Sequence, residues 1–212
     1  LTLYQDIPNT EENQATCLKN LANTLDDLGK PAQAEPYYRQ ALTLYQTLPG
    51  TERDQATCLY SLATTLSKLN KLAQAEPYYH QALTLYQDIP NTEEEQANCL
   101  LNLATTLFVL DKLAQAESHY RQALTLYQTL PNTQRDQAHC LLNLAATLYN
   151  LGRGVETEPL YRQAIHLCEG TSGTEQIHAT CLQHLASDVT SKGEGHLREA
   201  LELYDHARAL YE

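Results

Sequence analysis

The sequence contains no Trp, no Met and a single Phe, so its aromatic bulk rests almost wholly on 14 Tyr residues. A Tyr ring placed in a core brings a hydroxyl that must find water or a partner. Basic residues are scarce too: 14 Lys and Arg stand against 26 Asp and Glu, a net charge of -12. That sign repels a phosphate backbone, so no nucleic-acid partner is expected, and basic or neutral partners are mildly favoured. No apolar stretch approaches the roughly 20 residues a membrane span needs, and no signal-peptide pattern is present. A glycine-rich phosphate loop, a nucleophile elbow and a His-Glu-x-x-His pair are all missing. No catalytic residue, no cofactor and no membrane partner is therefore expected. The chain begins Leu1-Thr2-Leu3-Tyr4 without Met and reads as a piece of a longer protein.

What the sequence has is repetition. Tyr4, Tyr45, Tyr86 and Tyr127 recur every 41 residues, and Cys168 takes the next slot. Cys17, Cys58, Cys99, Cys140 and Cys181 keep the same interval, as do Pro8, Pro49, Pro90 and Pro131. The string from Gln5 to Glu12 returns as Gln87 to Glu94, and that from Gln46 to Arg53 returns with small changes as Gln128 to Arg135, so the copying unit reads as a pair of repeats. Each unit carries two helical patterns. Ala15, Leu18, Ala22 and Leu25 step by 3 or 4, with Leu21 and Leu28 expected to widen the stripe; Ala34, Tyr38, Ala41, Tyr45 and Leu48 form the second. Thr51 with Asp54, Thr92 with Glu95 and Thr133 with Asp136 have capping-box spacing at the start of first helices. Leu28-Gly29-Lys30 is a compact break between helices. Pro36, Pro77 and Pro159 are expected near the first turn of second helices, where a missing donor costs least.

One such hairpin cannot bury its stripe alone, whereas stacked neighbours can. The expectation is an all-α chain, an α-solenoid of stacked antiparallel helix hairpins. It would form a single array over 1–212, with residues 1–8 ending a preceding repeat helix. Five repeats would follow at 9–49, 50–90, 91–131, 132–172 and 173–212. Six of the eight Gly lie after residue 150, where the repeat loosens toward its end.

These residues resemble the tetratricopeptide repeat. Ala22, Ala63, Ala104, Ala145 and Ala186 stand where that motif wants a small residue. Ala34-Tyr38-Ala41, Ala75-Tyr79-Ala82 and Ala116-Tyr120-Ala123 supply its second-helix trio. The fourth repeat departs with Thr157 before Tyr161 and Ala164; the fifth has Ala200, Tyr204 and Ala207 after an insertion around Lys192 to Gly195. The usual unit is about 34 residues, and seven more are two helical turns, which keeps the stripes nearly in phase. Long units bearing Ala-Glu-Pro-Tyr-Tyr-Arg-Gln-Ala-Leu are similar to the kinesin-light-chain type.

The resemblance implies a right-handed superhelix whose first helices line a concave groove that holds an extended peptide or partner helix. Groove-facing positions would then include Lys19, Asn20 and Asn23. The series Asn20, Ser61, Asn102, Asn143 and His184 would contact peptide backbone, since a carboxamide both donates and accepts; the alternative is that it braces the hairpin. The series Lys19, Tyr60, Leu101, Leu142 and Gln183 varies among the copies and, with Phe108, Val109 and Tyr149, would form an apolar strip. The alternative is that neighbouring second helices cover it. The in-register cysteines read as buried and unbridged, suiting a reducing cytoplasm, and Cys168 stands apart as a more reactive candidate. His178-x-x-Cys181-x-x-His184 gathers zinc-ligand types, but His184 turns away from His178 on a helix, so no metal is expected.

An interaction scaffold is the leading expectation. A regulatory or sensor arm of a larger nucleotide-switch or protease-linked signalling protein is the alternative. An enzyme, or a pocket-like receptor for a short peptide pheromone, finds less support. Oligomeric state is not legible.

Overall fold

A computed structural model describes residues 10–191 and 193–210 of the chain. Among these, ten α-helices and two short 3₁₀ turns form the regular structure, and there is no strand. The helices are α1 (Thr10–Asp27), α2 (Pro31–Tyr45), α3 (Glu52–Lys68), α4 (Leu72–Asp88) and α5 (Glu93–Val109). They continue as α6 (Leu113–Thr129), α7 (Gln134–Asn150), α8 (Thr157–Cys168), α9 (Glu175–Ser191) and α10 (Leu197–Ala209). The reading of residues 1–8, with Tyr4 and Pro8, lies outside the described residues, as does that of Lys192.

Two compact units divide between Leu110 and Asp111. The first holds hairpins α1–α2 and α3–α4, with α2 against α3 and α4 against α5. In the second, α6 packs on α7 and is followed by hairpins α7–α8 and α9–α10, with α8 against α9. The small residues Ala22, Ala63, Ala104, Ala145 and Ala186 are all fully buried, which lets helix backbones approach. Tyr38, Tyr79, Tyr120 and Tyr161 are buried beside them, whereas Tyr204 on α10 is 44% exposed.

The expected widening of the stripe in α1 is corrected. Leu62, Leu103, Leu144 and Leu185 are buried, but Leu21 in the same slot is 40% exposed. Each buried copy lies on a first helix packed against the second helix before it, and α1 has no such neighbour among the described residues. Leu28 is 64% exposed because it lies just past the end of α1, in the turn. That turn closes on Gly29 at φ +70°, with Lys30 N–H donating to Leu25 O at 2.9 Å. The same slot holds Asn70, Asp111 and Gly152, all at positive φ; these are the residue types that tolerate the left-handed conformation best.

The capping boxes are corrected more sharply. None of Thr51, Thr92 or Thr133 makes a side-chain cap bond. Each is buried and donates backwards, to carbonyls at the end of the preceding helix. Thr92 Oγ1 donates to Tyr86 O (2.6 Å) and Ile89 O (2.9 Å). Thr51 does so to Tyr45 O and Leu48 O, and Thr133 to Tyr127 O and Leu130 O. A Gln four residues on completes the latch: Gln96 Nε2 donates to Thr92 Oγ1 (3.0 Å) and Tyr86 O (3.2 Å). Orphan carbonyls of one helix are thus satisfied by the first residues of the next. Thr174 keeps the donation, to Cys168 O and Thr171 O. His178 stands in the Gln slot there, buried, with Nε2 unpartnered.

Pro36 and Pro77 are sixth in α2 and α4, in the second turn rather than the first. Only Pro159 lies in a first turn, because a 3₁₀ turn over Gly154–Glu156 delays the start of α8. Second helices of successive hairpins are joined by charge: Lys71 reaches Glu35 (2.7 Å), Arg153 reaches Glu117 (2.7 Å) and Arg162 reaches Glu199 (2.7 Å). The Lys71 bond holds the Glu35 carboxyl below its ordinary range, against the pull of burial.

Candidate functional site

First helices carry the positions expected to meet a ligand, and in the first unit most of these are already engaged. Lys19 bonds Asp54 on α3 and lies over the Tyr45 ring, 5.4 Å from its centroid. Burial works against its charge, but Asp54 and Tyr45 outweigh that and keep its pKa above the usual lysine value. Asn20 is exposed. Asn23 Oδ1 accepts from the Tyr38 hydroxyl at 2.6 Å, a bond within the hairpin. Asn102 Nδ2 donates to the Tyr60 hydroxyl at 2.7 Å, linking α5 to α3, and the Tyr60 ring stands edge-on to Tyr79. Ser61 is half-buried beside Tyr38. The expected apolar strip is narrower than its sequence suggests. Leu101 is only 7% exposed, so it belongs to the core, and Phe108 is half-buried.

In the second unit the same slots are open in part. Tyr149 is 65% exposed, His184 is exposed, and Leu142 and Asn143 are half-buried. Two cavities follow one another between α7 and α9. The larger, about 580 Å³, is lined by Arg135, Asp136, His139 and Leu142 from α7 and by Gln176, Ile177 and Thr180 from α9. The smaller, about 290 Å³, is lined by Tyr149, Asn150, His184, Ser187 and Asp188 with Tyr161 of α8. Along α7 the lining residues 135, 139, 142, 146 and 149 step by 4, 3, 4 and 3, one face of a helix. Leu142, Tyr149 and His184 are thereby brought to one strip, with Asn143 beside Leu142 in the chain. Arg135, His139, Thr180 and Asp188 line it too and were not anticipated. The signal for Asp188 was present in the sequence, since its slot is Thr24, Thr65, Thr106 and Thr147 in the other repeats.

Four of the five in-register cysteines are core residues that offer little chemistry, while the exposed Cys17 corrects the expectation that all five are buried. Cys58, Cys99, Cys140 and Cys181 are fully buried, and burial pushes each thiol up to about 12. Cys58 Sγ donates to Tyr38 O, Cys99 to Tyr79 O and Cys140 to Tyr120 O, each across a junction between hairpins. Cys168 is buried, and burial raises its pKa, so the expectation of special reactivity is corrected; the exposed thiol is Cys17. His178 stands edge-on to His206 of α10 while His184 stacks on Tyr161 (5.5 Å), so the two histidines diverge. Among the described residues no group of three His, Cys, Asp or Glu could hold a metal ion, and no helix is long and apolar enough to cross a membrane.

A comparison with curated protein sequences found no match. Among solved structures, BtubC (BKLC) from P. vanneervenii superposes with a TM-score of 0.82 at 21% identity, covering 99% of this chain and 84% of its own. A Podosopora anserina protein described as a kinesin light chain with nearly identical TPR-like repeats gives 0.76 at 16% identity, covering 96% of each chain. YrrB, a TPR protein with an unusual peptide-binding site, gives 0.65 at 19% identity, covering 94% of this chain and 87% of its own. These likenesses concern the fold, an all-α solenoid of stacked hairpins. Sequence models described as Tetratricopeptide repeat match residues 14–88, 54–129, 95–153 and 137–178. Most of the chain is thus matched directly, and it belongs to the tetratricopeptide-repeat family.

Proposed function

We propose that this chain is a protein-interaction scaffold that holds an extended peptide along its first helices, on the strip shared by α7 and α9. One observation carries the reading: two cavities, about 580 and 290 Å³, succeed one another between the same two helices. A small molecule needs one enclosed pocket, whereas a chain of alternating side chains needs a row of open ones. From Arg135 to Tyr149 the strip spans about 21 Å at a rise of about 1.5 Å per residue. That length accommodates about six residues of extended peptide at about 3.3 Å each.

The lining suits such a ligand. Leu142, Ile177 and Tyr149 offer apolar contact, while Gln176, Thr180 and Ser187 can donate to or accept from a peptide backbone, as can Asn143 at the edge of the strip beside Leu142. The first unit supports the same family plan, but its Lys19, Asn23 and Asn102 side chains are spent on internal bonds. Lys19, Asn23, Tyr60, Leu101 and Asn102 therefore contribute less to the ligand face than Leu142, Asn143, Tyr149 and His184, while Asn20, Ser61 and Phe108 stay candidates on the first unit. The scaffold reading assigns no catalytic residue, cofactor or metal. A cytoplasmic setting fits the unbridged cysteines.

The test is capture from a library of immobilised random peptides by the intact chain and by the Asn143→Ala/Tyr149→Ala variant. The variant is expected to lose most of the captured peptide while helicity and thermal midpoint stay unchanged. Equal capture by both proteins would place the ligand elsewhere.

A further inference from the structure

The smaller cavity is built from coordinated departures from the repeat, and together they specify a charge. In the first two hairpins the second-helix Tyr hydroxyl has a partner on its own first helix: Tyr38 donates to Asn23 and Tyr79 to Thr64. In α7–α8 that slot is Ala146, whose methyl side chain cannot accept a hydrogen bond and leaves room. Among the described residues the Tyr161 hydroxyl makes no hydrogen bond, and the Tyr161 side chain lines the cavity. At the next junction, slots filled by Ala34 and Thr65, or by Ala75 and Thr106, become Thr157 and Asp188. These two residues change together and meet: Thr157 Oγ1 donates to Asp188 Oδ2 at 2.5 Å. The carboxamide slot becomes His184, whose ring stacks on Tyr161 with planes 10° apart.

The result is a recess with aromatic walls, from Tyr149, Tyr161 and His184, and one carboxylate, Asp188, held in place by Thr157. No Lys or Arg lines it. Its volume of about 290 Å³ lies at the bottom of the range for small-molecule sites, about 300 to 1,000 Å³, and suits one long side chain. The Tyr149 and Tyr161 ring faces attract a cation, and a carboxylate fixes its head by charge-assisted hydrogen bonds. Burial, with the Asp188 charge as the next largest influence, raises the Tyr161 pKa, so its hydroxyl stays neutral there and its oxygen can accept from a cationic head.

We propose that this recess is a specificity pocket for a cationic side chain, Arg or Lys, of the bound peptide. The proposal rests on the groove reading above and adds its selectivity. The net charge of -12 favours the same sign of ligand at longer range.

Random-peptide selection on the intact chain is expected to enrich Arg or Lys at one position. Selection on Asp188→Asn, which keeps an acceptor for Thr157, is expected to lose that enrichment while preferences at other positions persist. Re-synthesis of a selected peptide with citrulline, the neutral isostere of Arg, is expected to weaken binding about tenfold. Enriched peptides with no basic position, or a basic preference that survives in Asp188→Asn, would overturn the pocket while leaving the groove intact. If no peptide is selected, the groove reading fails, and the pocket is decided separately by amide spectra of the chain titrated with N-acetyl-arginine methylamide. Shifts at Tyr149, His184 and Asp188 that the citrulline analogue does not produce would support it; identical or absent shifts would refute it.

Discussion

Replacing Thr92 by Asp separates two opposite readings of the same residue. On the sequence pattern Thr92 precedes a helix and an acidic first turn, and Asp is an N-cap at least as good as Thr, with favourable charge at a helix N-terminus. On the structure Thr92 is a donor. Its hydroxyl is fully buried and gives to Tyr86 O at 2.6 Å and Ile89 O at 2.9 Å, while Gln96 Nε2 gives to it at 3.0 Å. An Asp carboxylate cannot donate, so it would face two carbonyl oxygens in a site closed to water. The isosteric Thr92→Val removes the hydroxyl, both the donor to the two carbonyls and the acceptor for Gln96, without adding charge. It leaves Ile89 O without this partner, although Tyr86 O still receives Gln96, and should cost about 1–3 kcal/mol. Thr92→Asp adds an uncompensated buried charge and should cost about 3–5 kcal/mol. Thr92→Ser keeps the hydroxyl and should cost less than either. Urea unfolding followed by far-UV circular dichroism gives the order directly. An Asp variant as stable as the parent chain, or more so, would refute the latch and restore the capping box.

Three other outcomes follow from the same geometry. Leu103→Ala, at a fully buried slot, should lower stability by about 2–5 kcal/mol, whereas Leu21→Ala in the same slot, 40% exposed, should cost far less; denaturant midpoints of the two variants compare them. Iodoacetamide at neutral pH should modify Cys17 first, with the other five thiols protected until the chain is denatured, as counted by mass spectrometry. Finally, burial and then the charge of His206 hold the His178 pKa below its ordinary 6.5, with Glu169 opposing. A depressed histidine contributes stability above its unfolded pKa that is lost as pH falls from about 6.5 toward the folded value. Unfolding midpoints should therefore drop in that window, and His178→Gln, which restores the residue of the other latches, should flatten the drop; an unchanged slope would show that His178 is not its source.

Fold was legible because the period was. The Ala and Tyr slots alone fix which faces of each helix are buried, and Ala22 and its four copies are all fully enclosed. Hydrogen-bond direction was not legible. Thr51, Thr92 and Thr133 fit a capping rule in spacing, but spacing does not say whether a hydroxyl points forward to N–H groups or back to carbonyls. Exposure failed where a copy lacked its neighbour: Leu21 and Leu62 are the same residue in the same slot, and only the packing partner differs. The candidate site was half legible. Variation among copies pointed to Leu142, Tyr149 and His184, but it also pointed to Leu101, which is core. The column of Asp188 shows its departure from Thr, but what ties it to a site is the contact with Thr157, and pairing is a spatial fact that one residue's column cannot display.

The Thr–Gln latch also bears on how such a chain can grow. Its parts lie on both sides of a hairpin boundary: the last carbonyls of one unit and the first side chains of the next. Because Tyr45, Tyr86 and Tyr127 supply the same acceptor and Thr51, Thr92 and Thr133 the same donor, cutting at equivalent points regenerates every joint. Insertion or loss of a whole repeat therefore creates no novel seam, and copy number can drift without a penalty at the join. The fourth joint, with His178 in place of the Gln, no longer mates with the others in full. A unit copied together with that joint would carry a weaker coupling to its neighbour.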